Sequence, residues 1–307
     1  MKKKRAQLFY KYFEEWIELY KVGSIRSITL EKYYMSLQWI TKLAPDLKLS
    51  DLDRRSYQTL LNKYAEDHEK QTTMDFHHQI KGAILDAVDE GILTQNPTRK
   101  VIIKGKAPRE KKPKFLNQHE LQLLLRELDL SSELNWDWFI LLVTKTGLRF
   151  SEALALTPGD FDFFNQKIII TKTWNYRNSI GDFQPTQNAS SVRNIQMDWQ
   201  LAMQFSQLVK ELDIDKPIFV NKRVFNSTIN NRLKVLCMNA GIPVITVHSL
   251  RHTHASLLLF AGVSIASVAK RLGHSSMTTT QETYLHIIQE LENQDNDKIM
   301  RHLAALV

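Results

Sequence analysis

The sequence predicts a mainly α protein with a small antiparallel β-sheet, an α+β fold in two domains. Three observations carry this. Apolar residues recur at i, i+3 and i+4 through most of the chain, the period of an amphipathic helix. Two segments, "KIIITKTWNY" and "SVRNIQM", read instead as β-branched strands bounded by polar loops. A basic, proline-containing stretch, "KGKAPREKKPK", separates residues 1–103 from residues 115–307, and 307 residues exceed one average domain.

In residues 1–103, Phe9, Phe13, Trp16, Ile17 and Tyr20 share one helix face. A second helix runs from about Thr29 to Leu43 and stops before Pro45, because a residue preceding proline avoids the helical region. A third covers about Asp53 to Asp67, and a fourth runs from near Thr73 to Glu90, ended by Gly91. Four helices with short connections make a small bundle. The linker, residues 104–114, holds six basic residues, one acidic residue and two prolines. It reads as a solvated tether. Lys104, Lys106, Arg109, Lys111, Lys112 and Lys114 also suit contact with DNA, since each phosphate neutralised releases a counterion.

The second domain opens at "LNQHELQLLL", where Asn117 and Glu120 form a capping pair ahead of an apolar run. "NWDWFILLVTKTG" reads as a buried helix closed by Gly147, and "RFSEALALTPGDF" as a short amphipathic helix ending in a Pro-Gly turn. The two strands follow, with "RNSIGDFQPTQNAS" as a long hairpin arm between them. From Trp199 onward the chain is nearly all helix apart from "PIFV".

The formal net charge of +8 and pI of about 9.3 favour a polyanionic partner, although a solvated basic surface carries the same charge. The single cysteine, Cys237, forms no intrachain disulfide and fits a reducing, cytoplasmic compartment, with core packing as its plain role. No apolar run reaches the ~18 residues of a membrane span, and the basic start lacks the apolar region of a signal peptide.

"TVHSLRHTHASL" places His248, Arg251, His252 and His254 at the entrance to an apolar helix. His248 and His252, four apart, resemble a metal pair, but Arg251 between them would repel a cation, and no Glu or Cys stands at ligand spacing. His252 and His254 read as satisfied, partly buried histidines without chemistry. A phosphate site explains more. Arginine offers a fork of donors that fits phosphate oxygens. A second arginine, Arg149 in "TGLRFSEALAL", opens a helix whose N-terminus would add backbone donors. "LGHSSMTTTQETYLHI" adds His274 after a glycine turn, and Tyr284 one or two turns into a helix capped by Thr279 and Glu282. Arginines, histidines and a phenol together make a kit for phosphoryl transfer to tyrosine.

In order and spacing, these three segments resemble the active-site boxes of the tyrosine recombinases, the phage-integrase family, in the flavour of Gram-positive phages and conjugative transposons. The resemblance covers nearly the whole chain. It implies a helical SAM-like core-binding domain over residues 1–103. It implies a DNA breaking-rejoining catalytic domain with a C-terminal helical tail over residues 115–307. It assigns Arg149 and Arg251 as clamps on the scissile phosphate, His248 as a proton-transfer group, His274 as a hydrogen-bond donor to the phosphate, and Tyr284 as the nucleophile. Glu152 is either a brace for the site or an ordinary helix-surface glutamate. The implied reaction is attack by Tyr284 on DNA, leaving a 3′-phosphotyrosyl link and a free 5′-hydroxyl. Bond energy is conserved in the link, so no cofactor or metal is implied. The implied partners are double-stranded DNA core attachment sites, a homotetramer on DNA with exchange of the C-terminal helix, and an excisionase. The implied location is the bacterial nucleoid.

Two features depart from the family pattern. The catalytic lysine's place, in a stretch like T-K-x-x-x-S-x-R, reads "PTQNASSVRNI", with Gln187 at the lysine's position. That implies impaired cleavage, with Lys172 in "ITKTWN" as the alternative lysine. Integrases of this flavour often begin with a small arm-site DNA-binding domain, whereas this sequence starts directly at the first bundle helix. Three functions stay open: a recombinase that integrates or excises a mobile element, a DNA-binding protein with the same fold and little turnover, and a type IB-like topoisomerase. The "LRHTHA" and "LGHSSMTTTQETY" boxes speak against the last.

Overall fold

The computed structural model describes residues 6–107, 115–177 and 181–284. The chain divides into two compact units, Met1–Lys111 and Lys112–Val307.

The first unit is built from α1 (Phe9–Tyr20), α2 (Ser27–Leu43), α3 (Arg54–Ala65) and α4 (Lys70–Asp89). Asp53 caps α3 by accepting from Ser56 N–H, and Ser56 Oγ accepts from Asp53 N–H in return. Phe9, Phe13, Trp16 and Ile17 of α1 share one core with Tyr57 and Leu60 of α3 and with Phe76, Ile80 and Ile84 of α4. Polar groups in this core find partners, two of them side chain to side chain. The Trp16 indole donates to Asp86 Oδ2 at 2.6 Å, and Tyr57 Oη lies 2.9 Å from His77 Nδ1. The start of the basic stretch belongs to this unit and is not a free tether. Lys106 N–H donates to His68 O at 2.8 Å, and a Cβ at Gly105 would sit 2.2 Å from Lys70 N. The backbone therefore runs hard against the start of α4.

The second unit opens with α5 (Gln118–Arg126), where Asn117 and Glu120 make a reciprocal cap. Next come α6 (Trp136–Thr146) and the short α7 (Phe150–Leu154). Strands β1 (Phe161–Asp162), β2 (Lys167–Ile170) and β5 (Arg193–Gln196) form an antiparallel sheet in the order β1-β2-β5, with Ile168 opposite Ile195. The run "KIIITKTWNY" is not one strand. It breaks at Thr171, and β3 (Lys172–Trp174) pairs instead with β4 (Phe183–Pro185) in a separate two-stranded ribbon. A second, small sheet thus joins the expected one. One turn of 3-10 helix, Ala189–Ser191, carries the chain back into β5.

The remaining helices are α8 (Trp199–Leu208), α9 (Asn226–Asn239), α10 (Val247–Phe260), α11 (Ile265–Leu272) and α12 (Met277–Thr283). Helix α10 lies along α6, and both contribute to a core that also holds Ile168, Ile195, Phe205, Leu233 and Cys237. The expected cap at Thr279 is corrected. Ser276 caps α12, Thr280 is buried within it, and Tyr284 is its C-terminal cap residue, so the helix starts earlier and ends at the tyrosine. No helix among the described residues is long and apolar enough to cross a membrane.

Candidate active site

Two glycine-closed helix ends organise the site. Helices α6 and α11 terminate in left-handed glycines, Gly147 at φ +70° and Gly273 at φ +68°. A helix C-terminus leaves carbonyls without intrahelical partners, and these carry partial negative charge. Arg251 Nη1 donates to Gly147 O and its Nη2 to Leu272 O, both at 2.6 Å. Arg149 Nη1 reaches the same Leu272 carbonyl at 3.3 Å, and its Nη2 donates to Gly273 O at 2.9 Å. One carbonyl therefore gathers both guanidiniums. Neither glycine could carry a side chain in place: a Cβ at Gly147 would lie 2.7 Å from His254 Cδ2, and one at Gly273 2.9 Å from Arg193 Nη1.

The helix opened by Arg149 is short, and its first N–H is already engaged. Helix α7 is only five residues long, and Arg149 N–H donates to Glu152 Oε2 at 3.0 Å. Glu152 is 1% exposed, which excludes a surface role. Its Oε1 accepts from Arg149 Nη1 at 2.7 Å, and its Oε2 from Arg193 Nη2 at 2.8 Å. Burial pushes the Glu152 carboxyl up, but Arg193 and Arg149 outweigh it and hold the group below the usual carboxylate range. Ser191 Oγ accepts from Arg149 Nη1 at 3.3 Å and donates to Asn188 Oδ1 at 2.7 Å, which ties the hairpin's return to the same arginine. Burial, followed by repulsion from Arg149, lowers Arg251 to about 9, so it keeps its charge at neutral pH.

The histidines divide. His254 is buried, with Nδ1 2.9 Å from Thr144 O and Nε2 accepting from Arg271 Nε at 2.9 Å. Arginine only donates, so Nδ1 carries the proton. Burial and Arg271 push this ring down to about 3. It is a satisfied core histidine. His252 is half-buried and also satisfied, with its Nδ1 2.9 Å from Tyr284 Oη. Tyr284 is 2% exposed, packs on Ala255, Leu259, Val268 and Leu272, and is pushed up to about 12 by burial, with Arg251 opposing. His248 stands edge-on to His252, with ring centroids 4.8 Å apart, and is lowered by desolvation, then by Arg251 and Arg149. His274 Nδ1 lies 2.7 Å from Thr280 Oγ1, and burial followed by Arg251 takes it down to about 4.

A model of the phage integrase family matches residues 114–290, more than half of the chain. The chain belongs to the phage integrase family. Among its relatives, the integrase of Staphylococcus phage L54a is 24% identical over 325 aligned positions, covering 95% of this chain and 92% of that one. In fold it is similar to the integrase of transposon Tn1549 in complex with a circular intermediate DNA. The TM-score is 0.75 and the identity 18%, over 90% of this chain and 94% of that one. It is also similar to a lambda integrase tetramer bound to a Holliday junction, with a TM-score of 0.65 and 18% identity, over 89% and 79% of the two chains.

The remaining positions singled out in this integrase lie as follows. Gln187 is exposed, directly before Asn188 on the hairpin's return. Lys172 Nζ lies 2.8 Å from Asp160 Oδ2 and 3.3 Å from Thr157 Oγ1, so its ammonium is committed to the turn after α7. Lys104 is exposed, and Lys106 Nζ lies 3.5 Å from Asp67. Arg109, Lys111, Lys112 and Lys114 lie outside the described residues, as does the tail after Tyr284. No group of three or more His, Cys, Asp or Glu that could hold a metal ion occurs among the described residues. Sequence reasoning missed Arg193. Its signal was present: in β5 the period of two puts Arg193 on the inward face with Ile195.

Proposed function

We propose that Arg149 and Arg251 clamp the scissile DNA phosphate and that Tyr284 attacks it. The chain is a site-specific integrase of the tyrosine recombinase family. The observation that carries the residue roles is the convergence of the two guanidiniums on the Leu272 carbonyl. Each keeps N–H donors beyond those given to main-chain carbonyls, and Tyr284 packs on the same leucine. In this reading Tyr284 Oη attacks phosphorus in line, a 3′-phosphotyrosyl link forms and the 5′ oxygen leaves. A 5′-hydroxyl from a partner duplex then reverses the step. The arginines stabilise charge on the transferring phosphate. With Thr280 donating to Nδ1, neutral His274 keeps an Nε2–H for a phosphate oxygen. His248 moves a proton. The experiment is covalent capture on a nicked attachment-site duplex. Tyr284→Phe should retain half-site binding and form no adduct, and an adduct in that variant would end the assignment. Cleavage should be unchanged by EDTA. Loss in EDTA restored by Mg²⁺ or Zn²⁺ would overturn a metal-free site.

Gln187 favours a second reading, in which binding outlasts turnover. A lysine there could protonate the departing oxygen, whereas glutamine donates a hydrogen bond but no proton. Gln187→Lys should raise single-turnover cleavage by ~10²–10⁴-fold, the usual weight of general acid catalysis. The commitment of Lys172 to Asp160 supports Gln187 as the vacant acid position. No gain from Gln187→Lys together with a large loss from Lys172→Ala would move the acid to Lys172.

Assembly on DNA as a homotetramer, with the C-terminal helix docked on a neighbour, completes the reading. The lambda integrase tetramer of similar fold supports it. Removing Lys298 to Val307 should weaken tetramer assembly more than half-site binding. Equal loss of both in gel-shift titration would place the tail on its own unit.

A further inference from the structure

We propose that His252 is the proton acceptor for the Tyr284 hydroxyl. The inference rests on Tyr284 as nucleophile and adds a group that the arginine clamps and His248 do not supply. Three observations lead to it. The phenol oxygen is 2.9 Å from His252 Nδ1, a direct hydrogen bond on the reacting atom. Tyr284 is buried among Ala255, Leu259, Val268 and Leu272, a setting that favours the neutral phenol and makes its proton costly to release without a nearby base. The ring of His252 also follows Arg251 directly on α10, so one helix carries both the phosphate clamp and the group holding the nucleophile.

Two other imidazoles and the phenol stand near His252. His248 and Arg251 stand on its own helix, and His274 and Tyr284 flank α12. In the step, a Tyr284 Oη lone pair forms the O–P bond as its proton passes to His252 Nδ1. The P–O5′ bond breaks, its electron pair leaves on O5′, and O5′ takes a proton from water. The His252 proton then neutralises the hydroxide so formed, and the net change is transfer of the phosphoryl group from the 5′ oxygen to tyrosine.

The test uses the full chain in single-turnover cleavage of a nicked duplex, with a normal phosphate or with a bridging sulfur in place of O5′. A thiolate leaves without a proton, so the sulfur substrate isolates the nucleophile's side of the reaction. His252→Asn places an amide oxygen near the position of Nδ1 and can hold the hydroxyl, but it cannot take the proton. It should bind half-sites as wild type does and cleave both substrates ~10²-fold more slowly, the low end for general base loss. Imidazole added to His252→Ala should restore part of the rate. Cleavage by His252→Asn within threefold of wild type would reduce His252 to a holding role and overturn the proposal. So would a defect that disappears on the sulfur substrate, or half-site binding lost in step with cleavage in both variants. Failure of the underlying reading is separate: it would show as an adduct in Tyr284→Phe whatever His252 does.

Discussion

The second unit places arginines inside protein in two different ways. Beneath α6, Arg232 meets a carboxylate: its Nε and Nη2 donate to the two oxygens of Asp137 at 2.8 and 2.7 Å. At the other end of α6, Arg251 donates to two main-chain carbonyls and to no carboxylate among the described residues. The first arrangement cancels a charge and fixes two helices. The second fixes a guanidinium without cancelling it. Beside Arg251, the guanidiniums of Arg149 and Arg193 share the carboxylate of Glu152, which acts on Arg251 only through space, so the region is held in a geometry it would not keep by charge alone. The proposed phosphate site would need to remain underneutralised, and helix ends supply enough partial charge to make that tolerable.

The contrast breaks most sharply by substitution. Arg251→Ala should lower single-turnover cleavage by ~10²–10³-fold, the loss expected on removing one preorganised donor to a developing charge. Arg232→Ala should leave cleavage nearly intact. Its effect should appear in urea unfolding, as a loss of about 2 kcal/mol from stranding the buried Asp137. That value is kept low because Arg232 itself reaches solvent. If both variants lose cleavage equally while unfolding alike, the two arrangements do not differ in role. A smaller effect concerns pH. His254 is held neutral in the fold at about 3, against an ordinary 6.5. Below 6.5 the unfolded chain binds a proton that the folded chain refuses. Its share of stability is thus present above that pH and declines as pH falls toward 3. From pH 7 to pH 5.5 the loss should be about 1 kcal/mol, read by unfolding at both pH values, and His254→Asn should flatten the slope.

Much of this was legible because the chemistry lies in short local patterns. Capping residues announced α5, and glycine announced the end of α6. The boxes bearing Arg149, Arg251 and His274 each pair a helix end with a polar side chain, and such patterns survive in one dimension. What escaped depended on residues far apart in the chain. Leu272 O lies 123 positions from Arg149, and nothing in "RLGHSS" says that its carbonyl will receive an arginine. The split of "KIIITKTWNY" at Thr171 escaped because β-branched composition reports strand without reporting partner. The partner of His252 escaped for the same reason. The spacing of His252 from His248 fixed a shared helix face, while its partner, Tyr284, came from an element 32 positions away.

The shared Leu272 carbonyl also bears on which changes of length the chain can absorb. Adding or deleting one residue within α11 would turn everything beyond it by about 100°. Leu272 O would swing away from both arginines, and Gly273 would leave the narrow space beside Arg193. The segment from Lys210 to Asp215 ends no helix on which the arginines depend and is largely solvent-facing. Length variation among integrases built on this plan should therefore collect in segments of that kind and spare α11, however much the side chains of α11 themselves drift.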